Sequence, residues 1–338
     1  MLRLIGVYGC FIPCALILAL CQPGPRPRQD QNVIAEKVRW QDVGFKQENA
    51  SDNPAINNLA FITSERGWAI THAQVFGTND GGTSWREVFN GGGRRFFSAL
   101  AVAGHDLWIV GSSLTEGANA SLILHSADGG SHWREQHGVL NRGTGSADLR
   151  RLSAISACDS QVLWASGENT VLRTTDGGRH WMASDIRDGQ IKDIVCVDTN
   201  RALAVGMGGS ILYSSDAGKS WSPQDSGVTA DLLRIRRFDG TVWVAGSDGV
   251  LLHADLHDLK WQRHSSTSSE SLYDVYMGDQ QGWAVGEHGT ILHTTDNGVT
   301  WQKQVSPNAL NLLSLSFVDS EHGWIGGAEL TVLRWLPL

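Results

Sequence analysis

Short runs in which apolar and polar residues alternate recur along the chain, and clusters of Ser, Thr, Asp and Gly interrupt them at near-regular intervals. The clearest copy is Ile291-Leu-His-Thr-Thr-Asp-Asn-Gly-Val-Thr-Trp301. It returns as Val171-Leu-Arg-Thr-Thr-Asp-Gly-Gly-Arg-His-Trp181, Ile211-Leu-Tyr-Ser-Ser-Asp-Ala-Gly-Lys-Ser-Trp221, Ile123-Leu-His-Ser-Ala-Asp-Gly-Gly-Ser-His-Trp133 and Phe76-Gly-Thr-Asn-Asp-Gly-Gly-Thr-Ser-Trp85. An alternating run that meets Ser/Thr-x-Asp-x-Gly predicts a strand entering a tight turn. There Asp binds backbone amides, Gly takes positive φ without steric cost, and Trp opens the next strand. Each copy is therefore a hairpin. A second strand precedes it, as in Gly282-Trp-Ala-Val-Gly286 or Trp243-Val-Ala-Gly246, and a third precedes that, as in Leu272-Tyr-Asp-Val-Tyr276. One repeat thus holds four short strands, the composition of a propeller blade.

Spacing counts the blades. Trp181, Trp221, Trp261 and Trp301 follow at intervals of 40 residues, while Trp85, Trp133 and Trp181 are 48 apart. An insertion at Ser112–Ala120 lengthens the second repeat, an excursion that a surface loop tolerates. The copy at His253–Trp261 lacks its Gly and predicts a looser turn. The final repeat runs through Leu312–Phe317, Trp324–Gly327 and Thr331–Arg334 without its own box and fourth strand. Val38-Arg-Trp40-Gln-Asp reads like the strand opened by Trp221 or Trp301. It is expected to complete the last blade and close the ring. The expected fold is all-β, a seven-bladed propeller of four-stranded blades spanning residues 37–336.

The chain's start reads differently. Arg3 is followed by an uncharged apolar run from Leu4 to Leu20, then by Cys21-Gln-Pro-Gly-Pro-Arg-Pro. Residues 1–21 are expected to be an export signal and 22–36 a Pro-rich tether. Leu18-Ala-Leu-Cys21 resembles a lipoprotein box with Leu20 in place of a small residue. Lipidation at Cys21, ordinary cleavage and an uncleaved anchor stay open. The expected location is outside the cytoplasm, periplasmic or membrane-tethered, or the thylakoid lumen in a photosynthetic host. Cys10 and Cys14 also belong to this segment. Cys158 and Cys196 fall on neighbouring innermost strands one repeat position out of step, so they are expected to face apart as two buried thiols.

Composition narrows the chemistry. A formal charge of −8 with scattered Lys and Arg gives no nucleic-acid surface. No CxxC, HExxH or ligand-spaced His run occurs, so neither a metal nor a cofactor is expected. The 39 Gly and 14 Trp suit many short strands joined by tight turns, and no helical periodicity follows the N-terminal segment.

The recurrent element is similar to the Asp box, or bacterial neuraminidase repeat. Its presence in nearly every blade assigns Asp80, Asp128, Asp176, Asp216 and Asp296, with Trp85, Trp133, Trp181, Trp221 and Trp301, to the fold rather than to one active site. With its Gly-Trp-Ala-Val-Gly strands, Thr-Thr-Asp-Gly-Gly-x-x-Trp turns and box-less last repeat, the mature chain resembles the photosystem II stability and assembly factor family. That resemblance implies an exported, non-enzymatic seven-bladed propeller that holds a protein partner, a membrane-protein subunit in photosynthetic members. A monomer attached to the membrane only through its N-terminus is expected.

Aligning the starts of the innermost strands places Arg95 and Arg150 at one repeat position, Arg151 one step on, and Lys192 and Arg234 further inside. The family has a comparable arginine patch, best matched by Arg151 and Arg234. Such a rim suits an acidic or carboxylate-bearing segment of a partner. The alternative is internal pairing with Asp148, Asp188, Asp193 and Asp231. A sialidase-like site would have to use Tyr273 with Glu270 and Asp274, and an inverting glycosidase could set Asp231 and Glu270 roughly 6.5–9.5 Å apart. A general extracytoplasmic binding module with another partner is the third reading.

Overall fold

The computed structural model describes residues 39–45, 54–115, 118–136, 140–142, 151–167, 169–186 and 190–336. Lys37–Leu338 form one compact unit. Its strands build seven sheets that follow one another in a ring. The innermost strands of blades 1 to 7 are Asn58–Phe61, Arg95–Ala103, Leu152–Ala157, Ile191–Cys196, Leu232–Phe238, Leu272–Met277 and Leu312–Phe317. Within each blade successive strands pair antiparallel from the centre outward. All inner strands run the same way around a propeller axis. One face of the ring therefore carries their starts and the other carries their ends.

The sequence pattern explains the packing. The second strands, such as Gly282–Gly286 and Leu163–Gly167, are buried at every position, as expected for the middle of a blade covered by a neighbour on each side. Tryptophans fill the gaps between blades. Trp221 meets Trp164 of the preceding blade edge to face at 6.0 Å, and Trp301 meets Trp243 at the same separation.

Ring closure follows the sequence expectation. Trp40–Asp42 forms the outer strand of blade 7, antiparallel to Val332–Trp335, with Trp40 opposite Trp335. Trp40 is 1% exposed, and its Nε1 donates to Gln304 Oε1 at 3.1 Å.

The five good repeats share one turn geometry. In blade 1 Thr78 Oγ1 donates to Asp80 Oδ1, and Gly82 N donates back to Thr78 Oγ1 at 3.0 Å. Asp80 also accepts from Ser84 N at 2.9 Å and from Ser84 Oγ at 2.6 Å. The same pattern holds at Asp128 with His132, Asp176 with His180, Asp216 with Ser220 and Asp296 with Thr300.

Three details depart from the sequence reading. The insertion in blade 2 is not a loop. It extends strands Asp106–Thr115 and Ala118–Ser126 into a long hairpin. Leu140–Arg142 adds a fifth strand to blade 3, parallel to Trp181–Asp185, and accounts for part of the long spacing between Trp133 and Trp181. Cys158 and Cys196 form a disulfide, with Cα atoms 5.4 Å apart, instead of two thiols facing apart. Strand alternation fails at this point because Cys158 lies one residue beyond its strand. It sits in a turn where its N–H donates to the Val162 carbonyl at 2.9 Å.

Candidate protein-docking rim

Four of the five proposed rim cations lie among the described residues, at or just inside the starts of inner strands in blades 2 to 5, but their surroundings differ. Arg151 is exposed just ahead of Leu152–Ala157, with Nε donating to Ser98 Oγ at 3.4 Å. Lys192 is exposed at the second position of Ile191–Cys196, where the pairing with the next strand slips by one residue. Among the described residues neither has an ion-pair partner. Arg95 is held differently, since its guanidinium reaches Glu135 Oε2 at 3.2 Å. Expectations for Arg150, Asp148 and Asp188, and for residues 1–36 including Cys21, lie outside the described residues.

Arg234 is mostly withdrawn from solvent. It lies between two buried carboxylates, 3.9 Å from Asp193 Oδ2 and 3.6 Å from Asp274 Oδ1. Arg236, two residues on, grips Asp274 with Nε at 2.9 Å and Nη2 at 2.8 Å. The carboxylates are buried because each ties its blade to the next. Asp193 Oδ2 accepts from Ile235 N and Asp274 Oδ2 from Leu315 N, both at 2.9 Å. Ser314 Oγ takes Leu59 N in the corresponding place between blades 7 and 1. Burial pushes the Asp193 carboxyl up against the pull of Arg234 and Arg236. Burial acts the same way on Asp274, but Arg236 and then Arg234 hold it below the usual range. Two arginines shared between two buried aspartates form a staple across blades 4 to 7. Sequence alignment placed Arg234 but missed Arg236, whose signal was its two-residue offset on the same strand.

The carboxylates considered for hydrolysis are also engaged. Asp231 Oδ1 accepts from Gly208 N at 2.8 Å. Glu270 sits 2.9 Å from His288 Nδ1, and Tyr273 donates its phenol proton to Glu287 Oε1 at 2.8 Å. Burial, and then Glu287, push the Tyr273 phenol up to about 12, away from a nucleophilic phenolate. With Asp274 tied to Arg236, the sialidase-like set is not assembled. Glu270, Glu287 and His288 bring their ligand atoms within 4.8 Å of one another, yet all three already share hydrogen bonds.

The strands define a closed seven-bladed propeller, with Arg151 and Lys192 exposed where two of its inner strands begin. A sequence profile described as Photosynthesis system II assembly factor YCF48 matches residues 33–185 and 254–336, and the chain belongs to that family. Arg95 and Arg151 lie within the matched stretches, whereas Lys192, Arg234 and Arg236 fall in the unmatched interval. Among solved structures, YCF48 bound to a D1 peptide is 21% identical with a TM-score of 0.69, over 89% of this chain and 97% of that one. YCF48 from Cyanidioschyzon merolae is 20% identical with a TM-score of 0.68, over 88% and 99%. A streptogramin B lyase shares the fold at 13% identity and a TM-score of 0.69, over 87% and 96%. No curated protein matches the chain.

Proposed function

We propose that this protein is a non-enzymatic assembly factor that holds a segment of a membrane-protein subunit on its strand-start rim, with Arg151 and Lys192 as principal contacts and Arg95 beside them. The observation that carries this reading is the family membership of a ring whose start face exposes Arg151 and Lys192, neither of which has an acidic partner among the described residues. A related structure, YCF48, was captured with a D1 peptide, so an extended peptide segment is the expected form of the ligand. Arg supplies bidentate hydrogen bonds to a carboxylate and Lys a mobile charge, which suits an acidic side chain or a chain terminus. Arg234 and Arg236 belong on this reading to the framework that holds the rim.

The Asp-box turns are proposed as structural parts of every blade. Export is proposed on two grounds, the apolar Leu4–Leu20 run and the Cys158–Cys196 disulfide, because disulfides persist in oxidising compartments. Among the described residues no helix is long and apolar enough to cross a membrane, which is consistent with attachment through the N-terminal segment alone.

Capture from native membranes by the tagged chain tests the proposal. Arg151→Glu with Lys192→Glu should leave the thermal transition unchanged and reduce recovery of the bound subunit by at least about tenfold, the scale expected when two charge-assisted contacts become repulsive. These positions are preferable to Arg95, whose reversal would also place a carboxylate against Glu135. Equal recovery with wild type and variant would remove the rim from the reading.

A further inference from the structure

The opposite face carries a row of aspartates, of which Asp198 pairs with Arg201 and Asp319 with His322. Turns that follow the inner strands present Asp159, Asp198, Asp239, Asp279 and Asp319 in five consecutive blades. Between blades 5, 6 and 7 this face opens into a cavity of about 720 Å³. Asp239, Asp279 and Asp319 line it, against a single guanidinium from Arg237. All three carboxylates are exposed. They act on Tyr276 in the same wall, whose phenol is pushed up by burial and then by Asp319, Asp279 and Asp239.

Phe238, Tyr276 and Trp283 form the aromatic part of an otherwise mostly polar lining. Phe238 meets Tyr276 edge to face at 5.2 Å, and Tyr276 stacks on Phe317 at 4.6 Å. Trp283, in the same lining, is fully buried, and among the described residues its Nε1 has no hydrogen-bond partner. Corresponding indoles elsewhere donate to a glycine carbonyl in the next blade's turn, Trp68 to Gly129, Trp108 to Gly177 and Trp324 to Gly81, at 2.9–3.2 Å. Blade 7 has no such turn, because Trp40–Asp42 occupies its outer place. Trp164 also lacks an acceptor, but its neighbouring turn is present and Gly218 packs against its ring. Trp283 differs in lying in the lining of the cavity.

We infer that this cavity receives a basic side chain, an arginine above all, from an extended segment of a partner protein. Three carboxylates on separate blades, with aromatic faces between them, suit a long or planar cation that can stack and donate several hydrogen bonds at once. A bare metal ion fits poorly, since among the described residues these carboxylates do not converge into a ligand group. The site is on the face away from the start rim and does not depend on which segment that rim takes. The ring would thus engage a basic segment at one end and an acidic one at the other.

Fluorescence anisotropy with a labelled Gly-Arg-Gly-Arg-Gly peptide, and its Glu counterpart, tests the inference on the full chain. Asp239→Asn with Asp279→Asn should weaken the Arg peptide at least about tenfold. Asn tolerates the left-handed backbone at Asp239, where φ is 40°. Arg237→Ala should tighten binding several-fold by removing the like charge, a gain that misfolding cannot imitate. Arg151→Glu with Lys192→Glu should leave this peptide unaffected, which separates the site from the start rim. Equal binding of the two peptides, or of the Arg peptide to wild type and the Asn double variant, would overturn the site.

Discussion

At the scale of single residues, the charges divide into those that hold the ring and those left exposed, and burial separates them. Asp274 is fully buried, accepts from two backbone amides and takes both nitrogens of Arg236. Asp274→Ala would leave Arg234 and Arg236 with Asp193 alone. A loss of about 3–5 kcal/mol is expected, as for one partner removed from a buried ion pair, and urea denaturation would measure it. A loss under about 1 kcal/mol would place the staple among surface pairs. His293 gives a pH signature. Its ring lies tilted against Trp283 at 4.8 Å, and burial, aided by Arg39, lowers it to about 4. The unfolded chain protonates this imidazole near pH 6.5 and the folded chain does not. Stability is therefore complete above pH 6.5 and falls as pH drops toward 4. His293→Gln should flatten that part of the stability curve. If the curves of wild type and variant coincide between pH 7 and 4.5, the buried imidazole is not the source. The turn aspartates act lower. Asp176 and Asp216 are held at about 2, the first by hydrogen bonds from His180 that outweigh its burial, the second chiefly by Ser220, so their contribution begins to fall below pH 4.

At the scale of elements, most of the architecture was legible because each strand writes its burial into its own sequence. Trp-Ala-Val-Gly runs mark the covered middle strand, and Thr-x-Asp-x-Gly marks the turn that follows its neighbour. Features that depend on one blade meeting another were harder to read. Arg236 and Asp274 are 38 residues apart and come together only through the ring. The partnering of Arg95 depends on Glu135, a strand end with no repeat signature. The disulfide escaped for a related reason, since alternation holds within a strand and Cys158 lies just outside one. This bridge closes a loop of 38 residues between the inner strands of blades 3 and 4. Replacing both cysteines by serine should cost about 3 kcal/mol. A melting temperature unchanged by the substitution, or by reductant on wild type, would show that neighbouring blade contacts already fix those strands.

At the scale of the whole molecule, closure makes one body of seven similar sheets, and the seam is the place to test that. Blade 7 is completed by a strand nearly 300 positions away in sequence, with Trp40 buried between Trp335 and Phe317. No hairpin holds that strand in place, so its contribution comes from tertiary contacts alone. Removing residues 37–45 would strip the outer strand from Val332–Trp335 and bare an edge able to pair with another chain. It would also remove the Trp40 side chain, whose truncation alone is expected to cost about 3–5 kcal/mol. The shortened protein should melt at a lower temperature and associate as its concentration rises, and calorimetry with light scattering would record both. Wild type should remain independent of concentration over the same range. Trp283, in the lining of the cavity proposed to take a basic segment, packs on Trp335 of this seam at 5.3 Å, so the Arg peptide should bind the shortened protein more weakly. A shortened protein with the same melting temperature and the same peptide affinity would mean that blade 7 stands without its N-terminal strand, and that neither the ring nor the end-face cavity depends on closure.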